Sequence, residues 1–546
     1  MTLTSRSLPR RKPVAACFAL ILVGGTIEVS DAGPAATASA DISPVFPDAG
    51  YRLRQRIRAR RNSEHAFPPK NRFARNSRAT RTDGNDLIVT SCADDGSPGT
   101  LRSVVAGAAE HDTVDLSQLT CSTITLVEGP IDSSMLGDNG LYYLTIQGPG
   151  QDSLTIDGAR TDQVFEGGGF SSAMGRLELD DLTVANGNDP HGLAGCIEVF
   201  GGTLALDHVT VTGCSASNGG PLTFGGAVDT SYLEMTSSTV SDSSSFATGD
   251  NVAIGGGAYA SNDAVLVDST ISGNTVNAET AGDGTYYITA GGGLYVRGAL
   301  TMTRSTVNGN EVSVVGDYAS PNGGGVFVRD QTTISDSTFD DNSAGQGGGL
   351  FKAEFSRFGD PGTTLGITNS TFSGNSVYYN GGAILSERPT VITSSTIAAN
   401  RSNRISGVAC RGADCSLEIQ SSIIAKNQSG DVFGSYWDIG ADFGADFTVA
   451  GANNLVTAAI NVTLPPGTII GDPLLLPLAD NGGPTQTLAL DPASPAIDAG
   501  NNDAMLDYDQ RGPGFPRVSG AAADIGAYER EVDNDFIFSN GFDSEN

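Results

Sequence analysis

Aromatic and acidic side chains recur in the segments that follow a repeated five-residue sequence motif. Tyrosine rings can cover the face of a sugar, and carboxylates can accept hydrogen bonds from sugar hydroxyl groups. Because insertions in repeat proteins often build one binding face, these residues are candidates for a carbohydrate-binding or receptor-binding groove. The alternative for each ring is packing against a neighbouring loop. The candidate ligand-binding residues are Phe246, Asp250, Glu279, Asp283, Tyr286, Tyr287, Glu311, Asp317, Tyr318, Tyr378 and Tyr379.

Residues with the types needed for catalysis are few. Asp180-Asp181 and Asp340-Asp341 are paired acids, but adjacent residues of a strand face opposite sides, so we interpret them as solvated corners. His208 lies in an alternating run and is interpreted as a solvent-facing structural residue. Acids at equivalent positions of stacked strands would lie about 4.8 Å apart, close to the roughly 5 to 5.5 Å carboxylate separation of retaining glycosidases. Two carboxylates can therefore lie at the catalytic separation simply because their strands stack, and no catalytic residue is assigned.

Metal ligands are also not assigned. Asp94, Asp95, Asp503, Asp507 and Asp509 carry the oxygen ligands that calcium prefers, but none lies in a twelve-residue loop with ordered ligands. The cysteines lack the two-residue spacing of zinc sites. We predict no cofactor and no assigned metal, with calcium left open.

Two repeated sequence motifs form the framework that must position the candidate residues. One ends at the corner residues Asn274, Asn310, Asn342, Asn375, Asn400 and Asn427, in steps of 36, 32, 33, 25 and 27 residues. The other is a glycine pair or triplet followed by apolar residues, as in Gly291 to Leu294. Glycine and asparagine tolerate the left-handed conformation of tight corners, and apolar residues alternate with period two between them. One such unit per coil predicts an all-β, right-handed parallel β-helix.

The two ends of the predicted β-helix differ from the repeats. Residues 86–126 contain a glycine-rich turn, the dipeptide Leu101-Arg102, and a stretch of helical composition from Ser103 to His111. An open solenoid end exposes strand edges, so we interpret this segment as an N-terminal cap. The β-helix with its cap is predicted over residues 86–430.

The N-terminus has the features of a secretory signal. Basic residues between Arg6 and Lys12 precede an apolar run from Val14 to Ile27 and the small residues Ala38-Ser39-Ala40. We predict a cleaved signal peptide over residues 1–40, because the run is shorter than the roughly 20 residues of a membrane span. No transmembrane span is expected after cleavage.

Charge is segregated along the chain. The formal net charge is -31, but residues 1–81 hold 15 of the 31 basic and 5 of the 62 acidic residues, which leaves 16 basic and 57 acidic residues, a net of -41, in residues 82–546. Residues 41–85 are predicted to be a basic disordered linker, with contact to anionic lipid or polysaccharide as the alternative. The acidic body excludes nucleic acid as a partner.

Six cysteines follow the predicted signal peptide. An even number in an exported chain indicates disulfides, and fifteen connectivities are possible. The cysteines form three groups of sequence neighbours, so we predict pairing within each group. The residues are Cys92, Cys121, Cys196, Cys214, Cys410 and Cys415.

The repeats resemble those of polymorphic outer-membrane proteins, which are surface β-helices used in adhesion. The phrases that carry the resemblance are Gly381 to Ile384 and Phe372 to Asn375, and it covers roughly residues 220–430. Only about 115 residues follow the last repeat, too few for the C-terminal barrel of an autotransporter.

Residues 431–530 resemble the choice-of-anchor Q domain. The resemblance rests on Asp480-Asn481-Gly482-Gly483-Pro484, Ser494-Pro495-Ala496-Ile497-Asp498, Asp509-Gln510-Arg511-Gly512 and Asp524-Ile525-Gly526. It implies a cell-envelope or secreted protein. We expect this module to cap the lower end of the solenoid, because its prolines and glycines oppose strand addition. Residues 531–546 form an acidic tail.

Together these features predict a secreted or surface protein of a bacterium, at the cell surface or outer membrane. The favoured function is a non-enzymatic adhesin or glycan-binding protein whose partner is a polysaccharide or a host cell-surface receptor. One alternative is a polysaccharide lyase or glycoside hydrolase of the pectin-lyase-like fold. The other is a structural spacer of the cell envelope.

Overall fold

The computed structural model describes residues 84–133, 143–167, 175–218, 222–248, 252–279, 287–315, 319–354, 363–429, 437–442 and 447–531. The predicted signal peptide, residues 41–83 of the linker and residues 532–546 of the acidic tail lie outside the described residues. In the described part of the chain, no helix has the length and hydropathy needed to cross a membrane.

The repeats form a parallel β-solenoid, as predicted. Each coil passes from a glycine corner through three strands to an asparagine corner, and then through an outer strand back to the next glycine corner. Strands of successive coils pair in parallel with equivalent residues in register: Tyr295 pairs with Phe327, and Thr306 with Thr338. The predicted all-β β-helix is therefore confirmed.

Five sets of parallel strands run along the solenoid. Three long strands, Arg176–Ala185, Ile197–Thr212 and Val228–Thr236, each contribute to more than one set. The glycine-side ladder, which follows the glycines, otherwise contains Ile131–Asp132, Phe165–Gly167, Ala258–Ala260, Leu294–Val296, Val326–Val328, Leu350–Lys352, Ile384–Ser386, Ile405–Arg411, Trp437–Asp442 and Ala459–Ile460. The middle ladder contains Asp86–Ile88, Thr113–Asp115, Tyr143–Gln147, Ala264–Val267, Leu300–Thr303, Thr332–Ser335, Leu365–Thr368, Thr390–Thr393, Leu417–Gln420 and Ala450–Ala452.

Most strands of the next set begin with threonine. This threonine ladder contains Thr123–Thr125, Thr155–Asp157, Thr239–Ser241, Thr270–Ser272, Thr306–Asn308, Thr338–Asp340, Thr371–Ser373, Thr396–Ala398, Ile423–Ala425, Leu455–Val456 and Ile469–Ile470. The outer ladder contains Asn188–Asp189, Ser215–Asn218, Ser244–Thr248, Thr275–Glu279, Glu311–Val315, Ser343–Ala344, Ser376–Val377, Arg401–Ser402 and Gln428–Ser429. The cover sheet contains Leu222–Phe224, Val252–Ile254, Tyr287–Ala290 and Ala319–Asn322. The pair Phe447–Thr448 and Val462–Thr463 is parallel, and Leu475–Ala479 pairs with Thr487–Leu490 in antiparallel fashion.

Apolar side chains point inward from the glycine-side, middle and threonine ladders and fill the solenoid. Along the threonine ladder the central residue of each strand is fully buried, as at Ile271, Val307, Phe339 and Phe372. The rings of Phe339 and Phe372 stack with centroids 4.4 Å apart. Burial of such continuous apolar ladders is the main favourable contribution to the stability of the fold.

The corner asparagines form a buried column of hydrogen bonds. The main-chain N–H and the Nδ2 of Asn375 both donate to Oδ1 of Asn400, at 3.1 and 2.8 Å, and the pattern repeats from Asn274 to Asn427. Asp438 ends the column by accepting from Asn427, and burial raises the pKa of Asp438 to about 6. The residue before each asparagine, such as Gly273, takes the left-handed conformation. Assigning that conformation to the asparagines themselves was therefore wrong, because their side chains serve the column.

The glycines of each triplet have different roles. The first, as at Gly255, takes a positive φ of 70°. The second meets the backbone of the next coil: a Cβ on Gly256 would lie 2.2 Å from the carbonyl oxygen of Gly292. Alanine replaces the third glycine at Ala227 and Ala383, where it is fully buried. The triplet thus combines a turn with a close approach of two backbones.

The helix Leu101–Gly107 belongs to the first coils. Thr100 caps it by accepting from the N–H of Ser103, and Leu101 and Val105 are buried in the core. Arg102 anchors the helix. Its Nε donates to Asp94 at 2.8 Å, and its Nη atoms donate to the carbonyl oxygens of Gly129 and Pro130. The helix begins two residues before the predicted stretch and ends four residues before His111.

The six cysteines form three disulfides between sequence neighbours, in agreement with the predicted pairing. They join Cys92 to Cys121, Cys196 to Cys214, and Cys410 to Cys415. The second of these joins a glycine corner to the asparagine corner of one coil, because Cys214 takes the place of an asparagine in the column.

Residues 437–470 continue the coils of the solenoid past the predicted boundary at residue 430, and the rest of the C-terminal module lies along the side of the solenoid. Ile423, Ala425 and Leu455 of the threonine ladder face outward and pack against Leu490 and Ile525 of the module. Its end-cap position was expected from strand-breaking residues alone. The side position follows from these outward apolar residues, which replace the threonine and serine of earlier coils.

Polar contacts extend the docking of the module over further coils. The Oγ1 of Thr338 donates to the carbonyl oxygen of Gln486 at 2.6 Å, and the Oγ1 of Thr371 donates to Oε1 of Gln510 at 2.6 Å. Within the module, Arg511 pairs with Asp509 at 2.7 Å and lies 4.0 Å from the ring centre of Tyr528.

Candidate functional site

The structure places the described candidate ligand-binding residues along the outer ladder. Phe246 is half-buried, whereas Glu279, Glu311, Tyr378 and Tyr379 are exposed. Asp250, Asp283, Tyr286, Asp317 and Tyr318 lie outside the described residues. Tyr287 begins a strand of the cover sheet, but its side chain is not among the described ones.

These residues share one edge of the solenoid without forming one compact site. Phe246 pairs with Asn277 in the next coil of the outer ladder. Glu311 pairs with Ser343 in the coil after its own, and Ser343 pairs with Ser376, which lies two residues before Tyr378. Phe246 is therefore four coils from the tyrosine pair, about 19 Å at the spacing of paired strands. Tyr378 and Tyr379 belong to a separate neighbourhood.

Aromatic side chains point outward from the glycine-side ladder and are covered. Tyr259, Tyr295, Phe327 and Phe351 stack along the solenoid with ring centroids 4.8 to 5.5 Å apart. The cover sheet packs onto this stack through residues such as Ile254. These rings lie at the outside of the coil but are only 3–4 % exposed, so they stabilise the cover sheet.

The cover sheet ends where the segments before the glycines become short. Gln346 and Asn380 take the place of its strands, because their carbonyl oxygens accept from Gly323 and Gly347 at 2.9 and 3.2 Å. The tyrosine pair directly precedes Asn380. Beyond Asn322 the solenoid therefore presents the partly exposed Gln346 and the exposed tyrosine pair where earlier coils carry the cover sheet.

A charged network lies next to these amides. Asp442 is fully buried and accepts from Nδ2 of Asn380 at 2.9 Å, from Arg404 at 3.3 Å and from Nε of Arg411 at 2.9 Å. Arg411 also donates to Oε1 of Gln346. The network links four successive coils and holds Asn380, and with it the end of the tyrosine segment, in one position.

The coil register explains why these charges meet. Ser386, Cys410 and Ala441 pair in succession, so the residues that follow them, Glu387, Arg411 and Asp442, stack in one column. Arg411 lies 3.6 Å from Oε1 of Glu387 and 2.9 Å from Oδ2 of Asp442. Each carboxylate is thereby neutralised by an arginine in the neighbouring coil. In this network the acids orient arginine.

The disulfide between Cys410 and Cys415 closes the turn that carries Arg411. Asp414 in this turn pairs with Nη1 of Arg388 at 3.1 Å. The turn therefore holds Arg411 of the charged network at one end, and at the other end it holds Arg388, the residue after Glu387.

Burial shifts the pKa of one member of the network, Glu387, and of one group beside it, Lys352. Burial raises the pKa of Glu387, although the N–H of Glu354 donates to it at 2.7 Å and Arg411 lies beside it. Burial lowers the pKa of Lys352 to about 8. Lys352 is completely buried, and its Nζ donates to the carbonyl oxygen of Arg329 at 2.9 Å. A side chain without solvent exposure cannot contact a ligand, so Lys352 is structural.

We expect Lys352→Met to stabilise the protein at pH 7. A folded-state pKa of about 8, against 10.5 for a free lysine, costs about 3 kcal/mol below pH 8, and loss of the bond to Arg329 offsets about 1 kcal/mol of this. The net expected gain is about 2 kcal/mol. Because the unfolded chain binds the proton more strongly, wild-type stability rises between pH 8 and 10.5, and the gain should shrink there.

The measurement is the free energy of urea unfolding of both proteins at pH 7 and pH 10. Lys426→Met is the matched control, because Lys426 is 53 % exposed and pairs with Asp472 at the surface; it should change stability by less than about 1 kcal/mol. A destabilised Lys352→Met protein with the same pH dependence as the wild type would contradict the prediction.

The other acids and histidines considered from the sequence serve as corners or arginine partners. Asp181 and Asp341 take positive φ, and His208 lies at a corner beside Asp207, 2.8 Å away. Of the calcium candidates, Asp94 is held by Arg102 and Asp509 by Arg511. Among the described residues, no group of three or more His, Cys, Asp or Glu is placed to hold a metal ion.

Sequence reasoning found the tyrosines but missed the network. The missed residues are Gln346, Asn380, Glu387, Arg404, Arg411 and Asp442. A signal was present: the residue before the glycines is Phe224, Ile254 and Ala290 in earlier coils but Asn322, Gln346 and Asn380 in later ones. This change from apolar to amide begins in the last strand of the cover sheet and continues past its end.

No family model matches the chain, and a search of curated proteins gave no significant match. Among solved structures, the crystal structure of pectate lyase Pel9A is similar. It is 14 % identical, with a TM-score of 0.35, over 82 % of this chain and 97 % of that chain. The parallel β-solenoid itself follows from the strand registers described above.

Proposed function

We propose that this chain is an exported, non-enzymatic β-helix adhesin or glycan-binding protein. The observation that carries the proposal is the tyrosine pair: Tyr378 and Tyr379 are 65 % and 51 % exposed, and their rings form an edge-to-face pair with centroids 4.8 Å apart. Exposed rings of this kind bind the apolar faces of sugars. The partly exposed side chains of Gln346, Arg404 and Arg411 carry donors and acceptors for hydroxyl groups.

The charged network supports binding over catalysis. A catalytic carboxylate must be able to give or take a proton at the substrate. Glu387 and Asp442 are instead held by arginine and by amide or main-chain donors. Three disulfides agree with an oxidising compartment outside the cytoplasm. Export through residues 1–40, a disordered segment over residues 41–85 and a choice-of-anchor-like module over residues 431–530 are parts of the same proposal.

Replacing both tyrosines is the direct test. We expect the double variant Tyr378→Ala, Tyr379→Ala to bind its glycan at least about fivefold more weakly, because two rings together contribute about 1–3 kcal/mol. Retention of the purified chain on an array of plant and microbial polysaccharides, with and without calcium, identifies the glycan, and titration then measures the change. The solenoid should keep its unfolding temperature, since both side chains are exposed.

Val315→Ala is the matched control, because Val315 is 68 % exposed at the end of an outer-ladder strand. It should bind like the parent protein. The same samples are assayed for released reducing or unsaturated ends. Released ends would overturn the non-enzymatic proposal in favour of a lyase or hydrolase, and an unchanged double variant would remove the tyrosines from the site.

A further inference from the structure

The tyrosine pair lies in a basic segment of an otherwise acidic protein. Residues 376–429, all within the described part of the chain, hold five of the 16 basic residues that follow residue 81 but only three of the 57 acidic ones. The net charge of this segment is +2, whereas the other residues from 82 onward hold 11 basic and 54 acidic residues, a net of -43. The five basic residues are Arg388, Arg401, Arg404, Arg411 and Lys426.

Arg401 lies on the same outward face as the tyrosines. It pairs with Ser376 of the preceding coil in the outer ladder, and Val377 separates Ser376 from Tyr378. Val377 is buried, whereas Arg401 and Tyr378 are exposed, so these two side chains point away from the solenoid. The strand spacing and the rise of two residues place their Cα atoms roughly 8 Å apart. Both side chains can therefore contact one short oligosaccharide.

Arg401 differs from the other basic residues of this segment in its contacts. The other four each form an ion pair, and the partners are Asp414 for Arg388, Asp442 for Arg404 and Arg411, and Asp472 for Lys426. Among the described residues, Arg401 forms no ion pair and no side-chain hydrogen bond. Its guanidinium group can therefore bind a ligand without breaking a contact to these residues.

The column of the outer ladder that contains Arg401 changes charge along the solenoid. Glu311, Ser343, Ser376 and Arg401 follow one another in register. The column therefore passes from an exposed acid to an exposed base over three coil steps, about 14 Å. The change occurs where the cover sheet has ended and the tyrosine pair is exposed. An anionic polymer is repelled by the earlier coils and attracted to the coil of Arg401.

We infer that the glycan bound at the tyrosine pair is anionic and that the guanidinium group of Arg401 binds its carboxylate or sulfate groups. This inference rests on the proposed function and gives the chemical class of the glycan. A guanidinium group can donate two parallel hydrogen bonds to one planar carboxylate, while the ring of Tyr378 covers the apolar face of a sugar. The ionic contact lies at the surface, so salt weakens it.

Titration of the full chain with three oligosaccharides tests the inference. They are an oligomannuronate, its carboxyl-reduced neutral counterpart, and a heparin oligosaccharide that carries sulfate groups; calcium is omitted so that no cation bridges two carboxylates. We expect at least one anionic oligosaccharide to bind about fivefold more tightly than the neutral one, and about 0.5 M salt to remove most of this difference. Arg401→Gln should weaken binding of the anionic oligosaccharide about fivefold and change binding of the neutral one less than about twofold.

Arg160→Gln is the matched control, because Arg160 is exposed on an early coil; it should bind like the parent protein. Circular dichroism confirms that each variant is folded. Equal affinity for charged and neutral oligosaccharides, retention of neutral polysaccharides alone, or unchanged binding by Arg401→Gln would overturn the inference. In those cases weaker binding by the double tyrosine variant would still support the proposed function. An absence of binding to all three oligosaccharides and to the polysaccharide array would overturn both.

Discussion

Replacement of Asn375 by leucine is expected to lower the free energy of unfolding by about 4 kcal/mol. Asn375 is fully buried and donates from Nδ2 to the carbonyl oxygens of Phe339 and Ser373, each at 2.9 Å. Its Oδ1 accepts from the N–H and Nδ2 of Asn342, at 3.1 and 2.8 Å. Leucine satisfies none of these groups, and each buried group left without a partner costs about 1–3 kcal/mol.

Asn277→Leu is the matched control for this change. Asn277 lies on the outer ladder, is partly buried, and makes a side-chain bond to Thr275 at 3.3 Å. We expect its replacement to cost less than about 0.5 kcal/mol. The comparison uses thermal and urea unfolding followed by circular dichroism. Equal losses of stability in the two variants would show that the asparagine column contributes no more than an ordinary surface residue.

Gly256→Ala is expected to lower the free energy of unfolding by a similar amount, about 3 kcal/mol. The new Cβ would lie 2.2 Å from the carbonyl oxygen of Gly292 and 2.6 Å from the backbone of Thr275. Both neighbours are main-chain atoms of paired coils, so neither can rotate away. Relief requires separation of the coils, which breaks the parallel hydrogen bonds on both sides of the corner.

Gly349→Ala is the matched control. It distinguishes the backbone clash expected at Gly256 from the effect of replacing any glycine of the triplet by alanine. Gly349 is a third glycine, and the equivalent residue of the next coil is Ala383, which is fully buried without displacing its neighbours. Its Cβ would lie 2.8 Å from the carbonyl oxygen of Ala383, so some cost remains, but we expect less than half that of Gly256→Ala. The unfolding temperatures of the two variants and the wild type measure the difference. A reversed order would refute the assigned roles of the second and third glycines.

The order of the strands and the inward side chains could be predicted because both follow from local rules. Period-two alternation assigns each residue to the inside or the outside of a strand, and glycine-containing corners set the ends of the strands. The disulfide pairs could also be predicted, since Cys196 and Cys214 replace a glycine and an asparagine at two corners of one coil. These inferences use only sequence positions and the assumption that coils are equivalent.

The charged network could not be predicted in the same way. Asp442, Arg411 and Glu387 are 31 and 24 residues apart in the chain, and coil lengths vary from 25 to 36 residues. A shift of one residue in a single coil would place them in different columns. Their neutralisation by one another therefore depends on the register of coils that differ in length.

The sequence by itself determined the solenoid, its corner residues, the charge segregation and the exposed tyrosines. The tertiary structure decided which outward residues are covered. Tyr295 and Phe327 lie under the cover sheet, whereas Tyr378 and Tyr379 lie past its end, and the module docks beside the solenoid on Ile423 and its neighbours. The physical reason is that inward burial follows from periodicity within one strand, whereas outward burial depends on segments distant in sequence that pack onto the coil.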